Sequence, residues 1–228
     1  MVYISSADVY YKQRNAMVDS QLRTNNVKNA ALLDALSSLP REVFLPSALA
    51  NVAYIDEDLV LPSGYVLMEP RILARLLQAA TPKATDMALV IGAGTAYEAS
   101  LLDRLVSTVT FCNVDDIVRQ VDREQLNELG VDTVDTVAGN LGDLRGLDDG
   151  NYDLILVVGA LADQVPESLT QKLSDGGRLV AVLYDGAHRP GSAILLRKEA
   201  HGVSQTRLFE ANTPLLPNQQ PTRPVFTF

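Results

Sequence analysis

The chain has 228 residues, 47% of them hydrophobic, and a formal net charge of −9 with a pI near 4.7. This length fits one α/β domain or one domain with a small extension. No cluster of Lys and Arg interrupts the acidic composition, so we expect no nucleic-acid partner. No apolar run has membrane-spanning length and the start lacks a signal-peptide pattern, so we expect a cytoplasmic protein with no membrane partner.

Histidine and cysteine are too scarce for several kinds of catalytic site. His188 and His201 have no ligand partner at metal spacing, so the sequence predicts no bound metal. No Gly-x-Ser-x-Gly sequence is present, which argues against a Ser–His–Asp hydrolase. The single cysteine, Cys112, lies in an apolar run and is predicted to be a small buried hydrophobic residue.

The first 80 residues have the spacing of helices. The segment "NAALLDALSSL" places four leucines at helical spacing after Asn29, which is the predicted N-cap. Pro40 ends this helix. In "EPRILARLLQAAT", Pro70 stands in the first turn of another predicted helix, where its missing N–H has no cost.

From residue 86 onward, short apolar runs alternate with helical patterns. This alternation predicts a doubly wound parallel sheet that is covered on both faces. The segments 193–199 and 204–211 are joined by a short loop without a helix, which predicts an antiparallel hairpin at the edge. The last residues, from 215, are predicted to form an extended surface tail. The predicted strands are 87–91, 108–114, 133–137, 152–159 and 178–184, and the predicted helices are near 96–106, 116–129 and 165–173.

The loop "IGAGTA" follows the predicted strand 87–91, where an open parallel sheet binds its ligands. Gly92 and Gly94 would let a ligand approach the backbone closely. Tyr97 stands where a dinucleotide fingerprint has its third glycine, so NAD is not favoured. A purely structural tight turn remains an alternative for two glycines after a strand.

From residue 17 almost to its end, the chain resembles the protein-L-isoaspartate O-methyltransferase family. The resemblance lies in "MVDSQL", "LLDALSSLPREVFLP" and "AYIDEDLVLPSGY", then in "VIGAGTAYEASLLDRL" and "YDLILVVGALADQVPESLTQKLSDGGRLVAVL". It implies a Rossmann-like, seven-stranded methyltransferase sheet with an antiparallel C-terminal hairpin and an N-terminal helical extension. The expected division is 1–82 for this extension with the substrate-side segment and 83–228 for the α/β domain.

The same resemblance implies S-adenosylmethionine-dependent methyl transfer to a carboxyl group of a protein or peptide substrate. The methionine part of the cofactor would lie over Gly92 and Gly94, and the adenine near residues 138–144. The residues that the resemblance assigns to the cofactor are Gly92, Ala93, Gly94, Tyr97, Asn113, Val114, Asn140 and Leu141.

The substrate side departs from the family pattern. In "GYVLMEP", Val66 and Met68 stand where the family has a threonine and a serine, so the catalytic residues are unknown. Tyr65 and Glu69 stand at glutamine positions. A carboxylate at Glu69 would repel an incoming carboxylate if it faced the pocket.

The cofactor side departs as well. Val90 replaces the acidic residue before the loop, and Asn113 replaces the acid that would bind the ribose hydroxyls. An amide oxygen at Asn113 can still accept a hydrogen bond, although one without charge assistance is weaker. Losing two hydroxyls and one acid would together cost about 4–8 kcal/mol if the losses were additive.

Three functions therefore remain open. The first is a carboxyl methyltransferase of the isoaspartyl repair type, which the coverage and the retained glycines favour. The second is a catalytically inactive pseudo-methyltransferase that acts through protein contacts, with a possible homodimer through its N-terminal helices. The third is a methyltransferase for a more apolar substrate, for which a mouth lined by Val, Leu and Met would be suitable.

Overall fold

The computed structural model describes residues 6–113, 123–131, 133–139, 141–184, 190–217 and 219. Its centre is a seven-stranded sheet with the order β5-β4-β3-β6-β7-β8-β9, which confirms the predicted sheet. The first five of these strands pair in parallel, and β8 and β9 pair antiparallel at one edge. The strands are β1 (Leu59–Val60), β2 (Val66–Leu67), β3 (Met87–Ile91), β4 (Thr108–Asn113), β5 (Val134–Ala138), β6 (Tyr152–Ala162), β7 (Leu173–Tyr184), β8 (Ser192–Glu199) and β9 (Gly202–Glu210).

The helices are concentrated in the N-terminal part and on the faces of the sheet. A single π-helical turn, Val18–Leu22, continues the first helix, and β1 and β2 form a separate small antiparallel pair. The expected boundary at residue 82 lies between α3 and β3, and the division into two parts stays a prediction. The helices are α1 (Ser6–Met17), α2 (Ala30–Ser38), α3 (Pro70–Ala80), α4 (Tyr97–Asp103), α5 (Arg123–Glu128) and α6 (Glu167–Thr170).

Local sequence signals account for the bounds of two helices. The side chain of Asn29 accepts a hydrogen bond of 3.1 Å from the amide of Leu32 and caps α2, as predicted. Pro70 is the first residue of α3, which ends at Thr81 in the left-handed conformation. Both predictions are confirmed.

The sheet separates two hydrophobic clusters because successive side chains of a strand point to opposite faces. Ala88 and Val90 of β3 belong to a large cluster that also contains the buried residues of the N-terminal helices. Leu89 and Ile91 belong to a smaller cluster on the other face. Cys112 is buried in the second cluster, as predicted, and burial raises the pKa of its thiol to about 11.

At the amino ends of the central strands, a buried arginine joins several segments. Arg178 donates hydrogen bonds to the carbonyls of Ala80 at 2.6 Å and Thr81 at 2.8 Å, and it is paired with the carboxylate of Asp86. It also donates to the carbonyl of Asp153 at 3.0 Å. Arg178 and Asp86 are both buried, so this end of the sheet is held by a paired charge.

Two segments differ from their predicted form. The helix expected over 165–173 is limited to α6, because Leu173 already pairs with Tyr152 at the start of β7. The prediction of a surface tail from 215 is wrong for its first residues, since Leu216 is buried and lies beside β6. Residues 218 and 220–228 lie outside the described part of the chain.

Candidate functional site

The glycine loop lies at the carboxyl end of β3, where the strand order of the sheet reverses. The chain leaves β3 for β4 and β5 on one side and returns to β6 on the other, which makes this the ligand-binding crevice of a doubly wound sheet. Gly92 has φ +82°, a left-handed conformation that glycine adopts without strain. It turns the chain from β3 toward α4.

A β-bulge in β6 lies against this turn. The pairing of β6 with β7 shifts between Leu156 and Ala160, and Gly159 within the bulge has φ +97°. A Cβ atom at Gly92 would lie 2.6 Å from the carbonyl oxygen of Val158. The turn and the bulge therefore pack backbone against backbone, and bulges are frequent next to functional sites.

Residues 213–217, which we name the C-terminal strap, run along β6 beside this bulge. The amide of Ala160 donates to the carbonyl of Pro214 at 2.8 Å, and the amide of Leu216 donates to the carbonyl of Ala160 at 2.9 Å. A Cβ at Gly92 or at Gly159 would lie 2.7 Å or 2.9 Å from Leu216 Cδ2. The Leu216 side chain thus fills the space that the two glycines leave open.

The second glycine of the loop is covered from the substrate side. The amide of Gly94 donates to the carbonyl of Val66 at 3.2 Å. A Cβ at Gly94 would lie 2.5 Å from Leu61 Cδ1 and 2.9 Å from the Cβ of Tyr65. The loop is therefore in contact with Leu61, Tyr65 and Val66, of which Tyr65 and Val66 belong to the predicted substrate segment "GYVLMEP".

The two positions at which the resemblance predicts hydroxyl side chains are buried. Val66 and Met68 are 2% and 0% exposed. The amide of Met68 donates to Glu98 Oε1 at 3.3 Å. The carboxylate of Glu69 accepts a hydrogen bond of 2.6 Å from Arg71, although burial raises the pKa of Glu69. The negative charge expected at Glu69 is thus paired with an arginine.

A buried polar group lies beneath the loop. Arg41 is fully buried and donates to the carbonyls of Ala53 at 2.8 Å and Met68 at 3.0 Å. Its guanidinium stacks 4.7 Å from the centroid of the Tyr97 ring. Burial raises the pKa of Glu98 to about 7, and the positive charge of Arg41 opposes that rise.

The predicted cofactor residues are distributed over described and undescribed parts of the chain. Gly92, Ala93 and Gly94 form the loop, and Ala93 makes a bridge to Val66. The ring of Tyr97 is fully buried and points toward the N-terminal part, where it meets Phe44 edge to face at 5.6 Å.

The adenine side of the predicted site is only partly described. Leu141 packs half-buried against the second cluster, and Asn113 is the last residue of β4. The side chain of Asn113 and the whole of Val114 and Asn140 lie outside the described residues. All the cofactor assignments stay predictions.

Sequence reasoning missed four residues of this site: Leu216, Gly159, Arg41 and Glu98. Weak signals were present for three of them, Leu216, Gly159 and Glu98. Two leucines stand between two prolines in "PLLP", a glycine interrupts the apolar strand "LILVVGALA", and a glutamate stands in the apolar segment "AYEASLL". Each signal acquires meaning only through a partner that is remote in sequence.

Gly92 and Gly159 border one small space, which we name the cradle and which a Cβ atom at either glycine would enter. The cofactor would have to fit this space. The walls of the cradle are backbone and aliphatic side chains, and the side chain that it holds is a branched four-carbon group. Such walls would contact the methylene groups of the methionine part of S-adenosylmethionine, whereas its ammonium, carboxylate and sulfonium charges would need partners outside the cradle. In the described part of the chain, no His, Cys, Asp and Glu residues form a group that could hold a metal, and no helix is long and apolar enough to cross a membrane.

Known proteins similar to this chain share its length and fold. The family model described as "Protein-L-isoaspartate(D-aspartate) O-methyltransferase (PCMT)" matches residues 12–210. Protein-L-isoaspartate O-methyltransferases from Koribacter versatilis and Methylorubrum extorquens are 32% and 34% identical, over 90% and 83% of this chain and 91% and 80% of theirs. A crystal structure described as this enzyme from Plasmodium falciparum, in complex with S-adenosyl-L-homocysteine, has the same fold. Its TM-score is 0.71 at 16% identity, over 89% of this chain and 97% of that one. The chain belongs to the protein-L-isoaspartate O-methyltransferase family.

Proposed function

We propose that this protein is an S-adenosylmethionine-dependent O-methyltransferase that methylates carboxyl groups of proteins or peptides, with weak activity toward isoaspartyl residues. The cradle formed by Gly92 and Gly159 carries the proposal. Two left-handed glycines face one space at the switch point of the sheet, and in this structure the Leu216 side chain occupies that space. This arrangement favours a ligand that approaches the backbone closely.

The reaction needs little from the protein beyond placement of its two substrates. A carboxylate is already the nucleophile, so no general base is required, and the sulfonium of the cofactor supplies an activated methyl group. Catalysis then depends on orientation and on the exclusion of water. The buried contacts among Arg41, Glu98 and the backbone of Met68 support this role, because they fix the substrate-side segment against the loop.

The weak activity toward isoaspartyl groups follows from Val66 and Met68. A hydroxyl that donates to a carboxylate contributes about 1.5–3 kcal/mol, and neither side chain can donate. Both are buried, so water cannot easily replace the lost donors. The loss of two such contacts corresponds to roughly a hundredfold to ten-thousandfold lower activity.

Calorimetry with S-adenosylhomocysteine, followed by methyl transfer to an isoaspartyl peptide, tests the proposal. We expect binding and a slow turnover that rises at least about tenfold in the double variant V66T/M68S, since it restores both hydroxyls. An aspartyl peptide of the same sequence is the matched control and should not be methylated. A protein that binds no S-adenosylhomocysteine would contradict the proposal.

A second candidate is the catalytically inactive relative that acts through protein contacts, possibly as a homodimer through its N-terminal helices. The occupation of the cradle by Leu216 favours it, because the side chain takes the space that we propose for the cofactor. Failure of the protein and of V66T/M68S to bind S-adenosylhomocysteine would support this candidate. Sedimentation analysis would then test the dimer.

A further inference from the structure

The C-terminal strap takes the place of a strand in the crevice of the sheet. β3 pairs with β6 only as far as Ile91 opposite Val157, and then Gly92 turns the chain away. The strap pairs in parallel with β6 immediately beyond, through Ala160 and Leu215. On its other side, Ala160 pairs with Val182 of β7. The strap therefore fills the slot that the departing β3 leaves open.

The two leucines of the strap point to opposite faces. Leu216 belongs to the cluster that contains Leu89 and Ile91, and it lies in the cradle. Leu215 packs half-buried against the other cluster. An extended chain alternates its side chains in this way. Only one of the two leucines therefore occupies the cofactor space.

Among the described residues, the strap makes few hydrogen bonds to β6, and its first residue, Thr213, is buried with its side chain beside Asp58. Its amide bonds to β6 are those of Ala160 with Pro214 and of Leu216 with Ala160, and Gln219 accepts one more from the amide of Ala162. Pro214 and Pro217 have no amide hydrogen to add to the pairing. Before the strap, the amide of Ala211 is bonded to Gly191, which provides a fixed point about which the segment can swing.

We propose that residues 213–217 are an autoinhibitory strap that closes the cofactor site and must leave β6 before an S-adenosyl ligand binds. This inference rests on the proposed function and adds a regulatory step to it. The affinity of the protein for the ligand is reduced by the fraction of molecules in which the strap is open. Loss of the Leu216 side chain shifts this equilibrium toward the open form, because that side chain is the part of the strap that the cradle holds.

The first test compares S-adenosylhomocysteine affinity by calorimetry in the full chain and in the variants L216A and L215A. We expect L216A to bind at least about tenfold more tightly than the unmodified protein. L215A shortens the neighbouring side chain of the same strap on the other face, so its affinity should change by less than about threefold. Equal affinities in all three proteins would overturn the strap and leave the proposed function standing.

The second test follows the strap itself by hydrogen–deuterium exchange. The amides of Leu216 and Ala160 are both hydrogen-bonded across the strap, so they should exchange slowly without ligand and faster when S-adenosylhomocysteine is added. The amide of Ala211, bonded to Gly191, serves as the internal control and should keep its protection. Protection of Leu216 that persists at saturating ligand would overturn the proposal. Absence of ligand binding in all three proteins would overturn both the strap and the proposed function.

Discussion

The two ends of the parallel sheet differ in how they are closed. At the amino ends of the strands, Arg178 and Asp86 form a buried ion pair, and Asp153 accepts further hydrogen bonds from the amide of Met87 at 3.0 Å and from Ser174 at 2.8 Å. At the carboxyl ends, Leu216 lies over the glycine turn, and the turn itself makes backbone bonds and apolar contacts. Among the described residues, the buried Arg41 and Glu98 lie beneath it without an ion pair to Asp or Glu of the kind that Arg178 forms.

A site that binds its ligand by polar contacts would have polar side chains at the carboxyl ends. In this structure the side chain that lies over the glycine turn is apolar. In a doubly wound sheet the ligand site lies at the carboxyl ends of the strands. Here the buried ion pair of Arg178 and Asp86 lies at the amino ends, where it joins separate segments of the fold. The resemblance predicts polar residues of the family at the positions of Val90, Val66 and Met68, and all three side chains are apolar and buried. The amino end should therefore be the more sensitive to loss of charge.

The largest effect is expected for R178M. Removing the guanidinium leaves the carboxylate of Asp86 buried without its partner, and it also leaves the carbonyls of Ala80 and Thr81 without a donor. Breaking a buried pair in this way costs about 3–5 kcal/mol of the free energy of unfolding. Urea denaturation followed by circular dichroism measures this loss.

The control for R178M is R145M. Arg145 pairs with Asp143 at 2.7 Å, but its side chain is 90% exposed. Solvent screens such a pair, and its removal should leave the unfolding curve nearly unchanged. Similar losses of the free energy of unfolding in R178M and R145M would contradict a stabilising role of the buried ion pair at the amino end.

The next effect concerns the turn at the carboxyl end. G92A places a Cβ 2.6 Å from the carbonyl oxygen of Val158 and retains a φ near +82°. The left-handed conformation costs about 1–2 kcal/mol for a residue with a Cβ, and the contact with fixed backbone adds about 1–2 kcal/mol. The free energy of unfolding should fall by about 2–4 kcal/mol in thermal or urea denaturation.

G130A separates the two contributions. Gly130 has φ +69°, but a Cβ there would meet nothing within 4 Å. The free energy of unfolding of G130A should therefore fall only by the cost of the left-handed conformation, about 1–2 kcal/mol. If G92A were no more destabilising than G130A, the close packing of β3 against the bulge of β6 would be contradicted.

Local signals in the sequence predict much of the sheet and of the N-terminal helices. Residues 87–91 form a strand with the predicted bounds, because a short apolar run between polar turns admits few other interpretations. Asn29 and Pro70 act through neighbours within one helical turn. Such effects depend on a few adjacent residues only. The number of strands, seven, is predicted from the family resemblance.

The covering of the site could not be predicted in the same way. β6 continues to Ala162, three residues beyond its predicted end, because a remote segment supplies partners for Ala160. The prolines of "PLLP" indicated an exposed loop, although Leu216 is 4% exposed. A single buried leucine between prolines has no periodicity, so only the tertiary structure shows that it lies over Gly92 and Gly159.

The smallest effect is expected at the buried carboxyl beneath the loop. Burial raises the pKa of Glu98 from 4.5 to about 7, so the folded state binds a proton more tightly than the unfolded state. The free energy of unfolding of the unmodified protein should therefore fall as the pH rises from about 4.5 to 7. E98Q cannot titrate, and its amide oxygen can still accept from the amide of Met68.

We expect E98Q and the unmodified protein to have similar stability near pH 5, where Glu98 is protonated in the folded state. Near pH 8 the variant should be more stable by about 1–3 kcal/mol, since it avoids burying a charge that Arg41 only partly compensates. Urea denaturation at the two pH values gives the comparison. S100A, a substitution of a buried neutral residue in the same helix, should differ from the unmodified protein by the same amount at both pH values. A difference between E98Q and the unmodified protein that did not change with pH would mean that Glu98 is ionised throughout this range. The carboxyl end would then hold Glu98 and Arg41 as two buried opposite charges, comparable with Asp86 and Arg178 at the amino end, and the contrast between the two ends would no longer stand.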